Sequence, residues 1–244
     1  MRGPALLVAA ILVAGCGADA PRVPLPDLDQ AVPAAVTIHR QGGRDLLAFA
    51  SAVDNIGPGP LVVHATRPTG AAAMSVRQVL GRESVPVDGE LRYVRAQTHA
   101  HWHLIGFERY ELRDAGGRRV LMARKAGFCL GDRYDSHRSR RIRGEPPAPV
   151  WTEECGRHEP GLRELDEGIS PGFGDDYAPV LEGQYVDVTG LAGRYVLVHM
   201  ANQGHTLREV SYANNAASVA IRLDGKGGLE ILARCPDSDR CPEP

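Results

Sequence analysis

Three histidines in strict alternation are the residues of this chain best placed to do chemistry. His99, His101 and His103 belong to the run H-A-H-W-H. In an extended strand alternate side chains share a face, so the three imidazoles would point one way and Ala100 and Trp102 the other. Neutral imidazole is the commonest metal ligand, so the pattern predicts a three-histidine metal site. The outer Cα atoms would lie roughly 13 Å apart in a straight strand, so the strand must bend or twist for all three to reach one ion.

A lysine follows the histidines on a predicted β-hairpin. Residues 104–113 and 118–125 are strand-like runs separated by the turn-forming sequence D-A-G-G. A hairpin centred on that turn would put Lys125 opposite about Gly106, roughly 10 Å along the sheet from His103. On this pattern alone, a solvated lysine at the end of a strand remains the alternative.

A tyrosine follows two aspartates in a later stretch rich in glycine and proline. The sequence S-P-G-F-G-D-D-Y places Asp175 and Asp176 directly before Tyr177. Carboxylates near a site attract and hold protonated amines. By composition alone, Tyr177 could equally be a partly exposed loop residue.

Together these segments resemble the catalytic domain of lysyl oxidases, which are copper amine oxidases. H-A-H-W-H stands where that family has its copper-binding H-x-H-x-H, and K-A-G-F-C-L-G-D, from Lys125, is similar to the segment around its cofactor lysine. S-P-G-F-G-D-D-Y is similar to the segment that ends in its cofactor tyrosine. Q-Y-V-D-V-T, G-R-Y-V-L-V and E-V-S-Y-A-N-N follow in the family's order, so the resemblance covers roughly residues 25 to 223.

The resemblance implies Cu(II) on the three histidines and a cofactor made from the protein itself. Copper and dioxygen would oxidise the ring of Tyr177, and the amine of Lys125 would add to it, giving lysine tyrosylquinone. The implied substrates are dioxygen and a primary amine or peptidyl lysine, and the implied products are an aldehyde, hydrogen peroxide and ammonia. The reaction needs a base to remove a proton, and Asp175 and Asp176 are the candidates.

Two alternatives remain open. Zinc bound by three histidines and a water is typical of hydrolytic sites. Several strand-like runs, including the one with V-D-N-I-G, also resemble Ig-like cell-adhesion modules of bacteria. A non-enzymatic, metal-binding surface module is therefore the rival interpretation, although it does not account for Lys125 or Tyr177.

Composition predicts one globular domain. The chain has 244 residues, 43% of them hydrophobic and 24% charged, with a net charge of -2, and nothing indicates a nucleic-acid partner. Short apolar or alternating runs are separated by glycine- and proline-rich turns, and no long segment has helical periodicity. The pattern favours an all-β, antiparallel β-sandwich-like single domain with long irregular loops, the longest of which spans residues 133–167. No pattern indicates an oligomeric state.

The N-terminus is typical of an exported lipoprotein. Arg2 precedes an apolar run at residues 5–14, which is too short to span a bilayer but fits the core of a signal peptide. V-A-G-C then looks like a lipobox in which Cys16 is lipidated; a plain secretory signal is the alternative. We therefore predict a signal peptide over residues 1–15, a proline-rich tether over 16–33 and the catalytic domain over 34–244. The protein would be held at the bacterial cell surface or membrane by lipid alone.

Export allows disulfide bonds between the remaining cysteines. Three pairings are possible among four cysteines. The favoured one closes a short loop near the C-terminus and ties the end of the predicted lysine strand to a loop, joining Cys235 to Cys241 and Cys129 to Cys155.

Overall fold

Antiparallel β-strands provide the regular structure in the computed structural model, which describes residues 23–95, 100–123, 127–136, 141–179 and 183–242. Within these ranges there is no helix, and every strand pair is antiparallel. The prediction of an all-β fold is therefore confirmed. No helix long and apolar enough to cross a membrane occurs in the described ranges.

The strands are mostly short and follow one another closely. In chain order they are β1 (Leu28–Gln30), β2 (Ala34–Gln41), β3 (Arg44–Asn55), β4 (Leu61–Thr66), β5 (Ala73–Leu80), β6 (Glu83–Arg95), β7 (Ala100–Ile105), β8 (Glu108–Asp114), β9 (Arg119–Met122), β10 (Gly127–Phe128), β11 (Tyr134–Asp135), β12 (Glu164–Ile169), β13 (Phe173–Tyr177), β14 (Tyr185–Asp187), β15 (Ala192–Ala201), β16 (Ala216–Asp224) and β17 (Leu229–Cys235).

The first sheet is organised around the long strand β3. This strand pairs with β1, β2, β13 and β14, and β13 also pairs with β11. In the β3–β13 register, Tyr177 lies opposite Ser51 and Asp175 lies opposite Val53. All four residues are buried. Because residues two apart on a strand share a face, Tyr177 and Asp175 both point into the protein.

The second sheet contains the histidine strand. Its order is β10-β7-β6-β5-β4-β12, so β7 lies between β6 and the short strand β10. Gly127 and Phe128 of β10 lie opposite Ile105 and Leu104 of β7. The segment that begins two residues after Lys125 therefore runs beside the histidines.

The third sheet has the order β17-β16-β15-β8-β9. Side chains from all three sheets join one hydrophobic cluster, in which Phe49, Met74, Trp102, Tyr110 and Phe128 are among the largest fully buried members. Burial of each such apolar side chain contributes roughly 1.5–3 kcal/mol. This shared core fixes the sheets relative to one another and so positions the site.

The structure corrects two boundaries of the predicted elements. Residues 104–113 do not form one strand: the chain turns at Gly106, where φ is 81°, and passes from β7 in the second sheet to β8 in the third. Glycine adopts this left-handed conformation without steric cost. The predicted loop over residues 133–167 is mostly irregular, but it contains β11 and ends within β12.

The predicted tether is packed where the structure describes it. Leu28 on β1 is fully buried, and the backbone N–H of Ile56 donates to the carbonyl of Asp27 at 2.8 Å. We therefore place the start of the domain before residue 34. Cys16 and the predicted signal peptide lie outside the described residues, so lipidation stays a prediction.

Candidate active site

Tyr177 is buried at the end of β13. Its ring is 8% exposed and meets the ring of Phe128 edge-on, with centroids 4.1 Å apart. Its hydroxyl accepts a hydrogen bond from the backbone N–H of Cys129 at 3.0 Å. Burial, with a smaller contribution from Asp175, raises the pKa of Tyr177 well above its ordinary value. The interpretation of Tyr177 as a partly exposed loop residue is therefore wrong.

His101 and His103 lie side by side on β7. Their ring centroids are 4.7 Å apart, and His103 is only 3% exposed. Two imidazoles bound to one ion through nitrogens about 2 Å away have ring centres roughly 4 to 5 Å apart. The spacing of the two rings therefore matches that of two imidazoles bound to one metal ion. His99 lies outside the described residues, and the described part of the chain holds no group of three His, Cys, Asp or Glu side chains that could hold a metal.

The segment 127–130 connects the histidine strand to Tyr177. A Cβ atom at Gly127 would lie 2.9 Å from Cβ of His103, so glycine is needed for β10 to approach β7 this closely. Two residues further on, Cys129 contacts the Tyr177 hydroxyl. Lys125 comes just before this segment and lies outside the described residues, so its predicted position opposite Gly106 stays a prediction.

A disulfide fixes this segment to a loop. Cys129 is bonded to Cys155, and the carbonyl of Cys155 accepts the backbone N–H of Trp102, on the histidine strand, at 3.0 Å. A second disulfide joins Cys235 to Cys241. Both favoured pairings are thus present in the structure.

Of the two candidate bases, Asp175 alone shares a face with Tyr177. Asp175 is 1% exposed, whereas Asp176 points to the opposite face of β13 and is exposed. Nε of Arg133 lies 3.7 Å from Oδ1 of Asp175. A neighbouring cation favours the ionised form of a carboxyl group, which is the form that a base requires.

Arg133 is held in place from several sides. Its backbone N–H donates to the carbonyl of Gly174 at 2.8 Å, and its Nη2 lies 3.1 Å from Sγ of Cys129. The guanidinium group is therefore positioned between the disulfide and Asp175.

Glu167 on β12 is a site residue that the sequence analysis missed. It is 1% exposed, and its Oε2 accepts the backbone N–H of Leu130 at 3.2 Å. No described residue forms a hydrogen bond with its other oxygen, Oε1. Burial, and then the charge of Asp175, raise the pKa of Glu167 well above its ordinary value, although the Leu130 N–H and Arg133 oppose the shift. A glutamate at the end of a long charged loop gives no signal of burial in the sequence.

Comparison with known proteins places the same segments in one family. The family model described as lysyl oxidase matches residues 73–235, which is more than half of the chain. The chain is similar to protein-lysine 6-oxidase from Rattus norvegicus, with 32% identity over 133 residues that cover 52% of this chain and 28% of that protein. The Sus scrofa protein of the same name is also 32% identical over 133 residues, which cover 52% of this chain and 45% of the relative.

A third relative extends the alignment. Lysyl oxidase homolog 3B from Danio rerio is 27% identical over 187 residues, which cover 75% of this chain and 18% of the relative. The chain spans less than half of the length of each of these curated relatives.

Proposed function

The chain belongs to the lysyl oxidase family, and from that premise we propose that it is a copper-dependent amine oxidase. It would oxidise primary amines or peptidyl lysine to aldehydes, consuming dioxygen and water and releasing hydrogen peroxide and ammonia. The observation that carries the proposal is the position of segment 127–130, which contacts His103 on one side and Tyr177 on the other. This segment begins two residues after Lys125.

The residues divide into a metal set and a cofactor pair. His99, His101 and His103 would hold Cu(II), and Lys125 and Tyr177 would form lysine tyrosylquinone. When present, these groups supply the redox chemistry with dioxygen and accept electrons from the amine. The chain itself positions the tyrosine ring and shields it from water, since the ring is buried against Phe128 and its hydroxyl is held by a backbone N–H.

Asp175 is the base that we assign to the reaction. It lies on the same buried face as Tyr177 and has a guanidinium group 3.7 Å away. In this position it would take a proton from the substrate carbon next to the amine nitrogen. Asp176, on the other face of the strand, would remain in solvent.

The direct test is a peptide map of the protein after treatment with copper and dioxygen. We expect Lys125 and Tyr177 in one crosslinked peptide, with visible absorbance, reaction with phenylhydrazine and peroxide production from primary amines. Lys125→Arg keeps the positive charge but lacks the same nucleophilic amine, so it should lose all four properties. Tyr177→Phe should match it, and Tyr195→Phe, in the third sheet, should behave as wild type.

Separate Lys125 and Tyr177 peptides from the treated wild-type protein would contradict the amine oxidase proposal. A crosslinked peptide would instead exclude the non-enzymatic surface module. Copper analysis addresses the zinc alternative: we expect about one copper per chain, lost in His101→Ala and retained in the control His39→Ala, whose side chain is exposed. A protein that binds only zinc and hydrolyses its substrate would contradict the copper assignment.

We also propose that the protein is exported and anchored by lipid on Cys16. The support is the short apolar run followed by V-A-G-C. Cys16→Ser should move the protein from the membrane fraction to the soluble fraction in a cell-fractionation experiment. A variant that stays fully membrane-bound would contradict the lipid anchor.

A further inference from the structure

Two carboxyl groups are buried near Tyr177, and their surroundings differ. Glu167 on β12 and Asp175 on β13 are each 1% exposed. Arg133 lies 3.7 Å from Asp175, whereas the described residues give Glu167 no ion pair and one hydrogen bond, from the N–H of Leu130. Strands β12 and β13 are in contact, and the charge of Asp175 favours the protonated form of Glu167. Buried like charges repel, so two such carboxyl groups do not both ionise readily.

The ion pair of Asp175 with Arg133 is the difference that favours the proton on Glu167. A buried carboxylate needs a cation or several donors, and among the described residues Glu167 has a single neutral donor. Its Oε1 receives no hydrogen bond from any residue that the structure describes. Burying an oxygen without a hydrogen bond costs less free energy when the carboxyl group is neutral than when it is charged. Strand β4, which pairs with β12, presents the apolar Val63 opposite Glu167.

The charged groups that act on Glu167 can be named. In the described part of the chain they are Asp175, whose charge favours the protonated form, and Arg133, whose charge opposes it. Burial is larger than either and also favours the protonated form. The charges of both carboxyl groups raise the pKa of Tyr177. The position of the proton therefore changes the electrostatic surroundings of the Tyr177 ring.

We infer that Glu167 and Asp175 together hold one proton and that this proton resides on Glu167. Asp175 is then the ionised carboxyl group of the pair. Glu167 is then a positioning residue that acts through Asp175. A role of Glu167 in amine oxidation rests on the proposed function, but the location of the proton is a property of the resting protein.

The test is infrared spectroscopy at pH 7, which detects the carbonyl band of a protonated carboxylic acid. Every spectrum is recorded in a Glu209→Gln background, because the pKa of Glu209 is raised to about 7 and its carboxyl group would add to the band. A glutamate with an ordinary pKa of about 4.3 is protonated in roughly one molecule in 500 at this pH. The inference requires a band from close to one protonated group per molecule, which is several hundred-fold more. Glu167→Gln should abolish the band. Glu164→Gln, which makes the same change at an exposed position of β12, should retain it.

Isotope labelling keeps the test decisive if Glu167→Gln does not fold. In the Glu209→Gln variant with Glu167 intact, ¹³C-labelled glutamate should shift the band and ¹³C-labelled aspartate should not. Absence of the band at pH 7, its survival in folded Glu167→Gln, or a shift with labelled aspartate would each overturn the inference. None of these measurements needs turnover of an amine, so a failure here is distinguishable from separate Lys125 and Tyr177 peptides, which would refute the proposed function alone.

Discussion

Glu209 and Glu167 are both buried glutamates, but their hydrogen-bond partners differ in number. Glu209, between β15 and β16, accepts hydrogen bonds from the backbone N–H of Leu28 at 2.7 Å, from Asn202 Nδ2 at 2.5 Å and from Asn215 Nδ2 at 2.8 Å. Glu167, next to the candidate site, accepts one hydrogen bond from the residues that the structure describes, a backbone N–H 3.2 Å away. The first carboxyl group is well satisfied, and the second is not.

The difference separates a structural polar cluster from a reactive one. The partners of Glu209 come from β1 and from the connection between β15 and β16, so the cluster ties the start of the domain to its later strands. A fully satisfied buried network stabilises one arrangement of the chain, whereas an incompletely satisfied one costs stability and is characteristic of functional sites. Burial raises the pKa of Glu209 to about 7 against the opposition of its three donors.

The largest effect should come from Asp175, whose loss removes chemistry rather than structure. Asp175→Asn keeps the shape of the side chain but cannot act as a base, so we expect the amine-dependent rate of peroxide formation to fall by about 10²–10⁴-fold. Asp176→Asn makes the same change on the exposed face of the strand and should leave the rate near that of wild type. Both variants should contain the crosslinked peptide. Equal rates in the two variants would refute the assignment of Asp175 as the base.

A smaller effect, on stability, should come from Glu209. Glu209→Ala leaves the Leu28 N–H buried without its acceptor and removes one of two acceptors from each asparagine amide. We therefore expect the free energy of unfolding to fall by about 3 kcal/mol. Urea unfolding monitored by fluorescence would measure it. Glu230→Ala, which removes an exposed ion pair with Arg222, should change the free energy by less than about 1 kcal/mol. Similar losses in the two variants would show that the Glu209 cluster is not structural.

The smallest effect is a dependence of stability on pH, in which two buried groups act in opposite directions. The pKa of Glu209 is raised from 4.5 to about 7, so the folded chain holds its proton more tightly; its contribution is full below pH 4.5 and is lost as the pH rises to about 7. His199 lies against the rings of Phe49 and Tyr110, and burial lowers its pKa from 6.5 to about 3. Its contribution is full above pH 6.5 and is lost as the pH falls.

Between pH 4.5 and 6.5 the two slopes oppose each other, and each amounts to at most about 1.4 kcal/mol per pH unit. Relative to wild type, Glu209→Gln should therefore lose stability progressively as the pH falls across this range. His199→Phe, which keeps an aromatic ring between Phe49 and Tyr110, should gain stability as the pH falls. Urea unfolding at three pH values would measure both differences. Differences that stay constant with pH would show that neither group titrates as described.

The strands were predictable to the extent that they depend on local alternation. Alternation of apolar and polar residues predicts β5, because one face of that strand is buried. Apolar runs predict β3 and β15, in which several consecutive residues are buried. The break at Gly106 was not predictable, since a glycine within an apolar run can either continue a strand or end it. The assignment of strands to three sheets was beyond the sequence, because it depends on pairing between residues far apart in the chain.

The same limit applies to the candidate site. The shared face of His101 and His103 follows from their spacing on one strand, so the sequence was sufficient to predict it. Glu167 reaches Leu130 only because the disulfide between residues 129 and 155 and the pairing of β12 with β4 bring distant segments together. No local pattern encodes a contact of this kind, so the sequence predicts Glu167 only as the end of a long irregular loop.

The Cys129–Cys155 disulfide makes the covalent link between two parts of the site depend on the redox state of its surroundings. It joins residues 26 apart in the chain; the backbone of Cys129 contacts the Tyr177 hydroxyl, and that of Cys155 contacts the histidine strand at Trp102. Disulfides persist in oxidising compartments and are kept reduced in the cytosol. A chain kept in reducing surroundings therefore lacks the covalent link between these two parts.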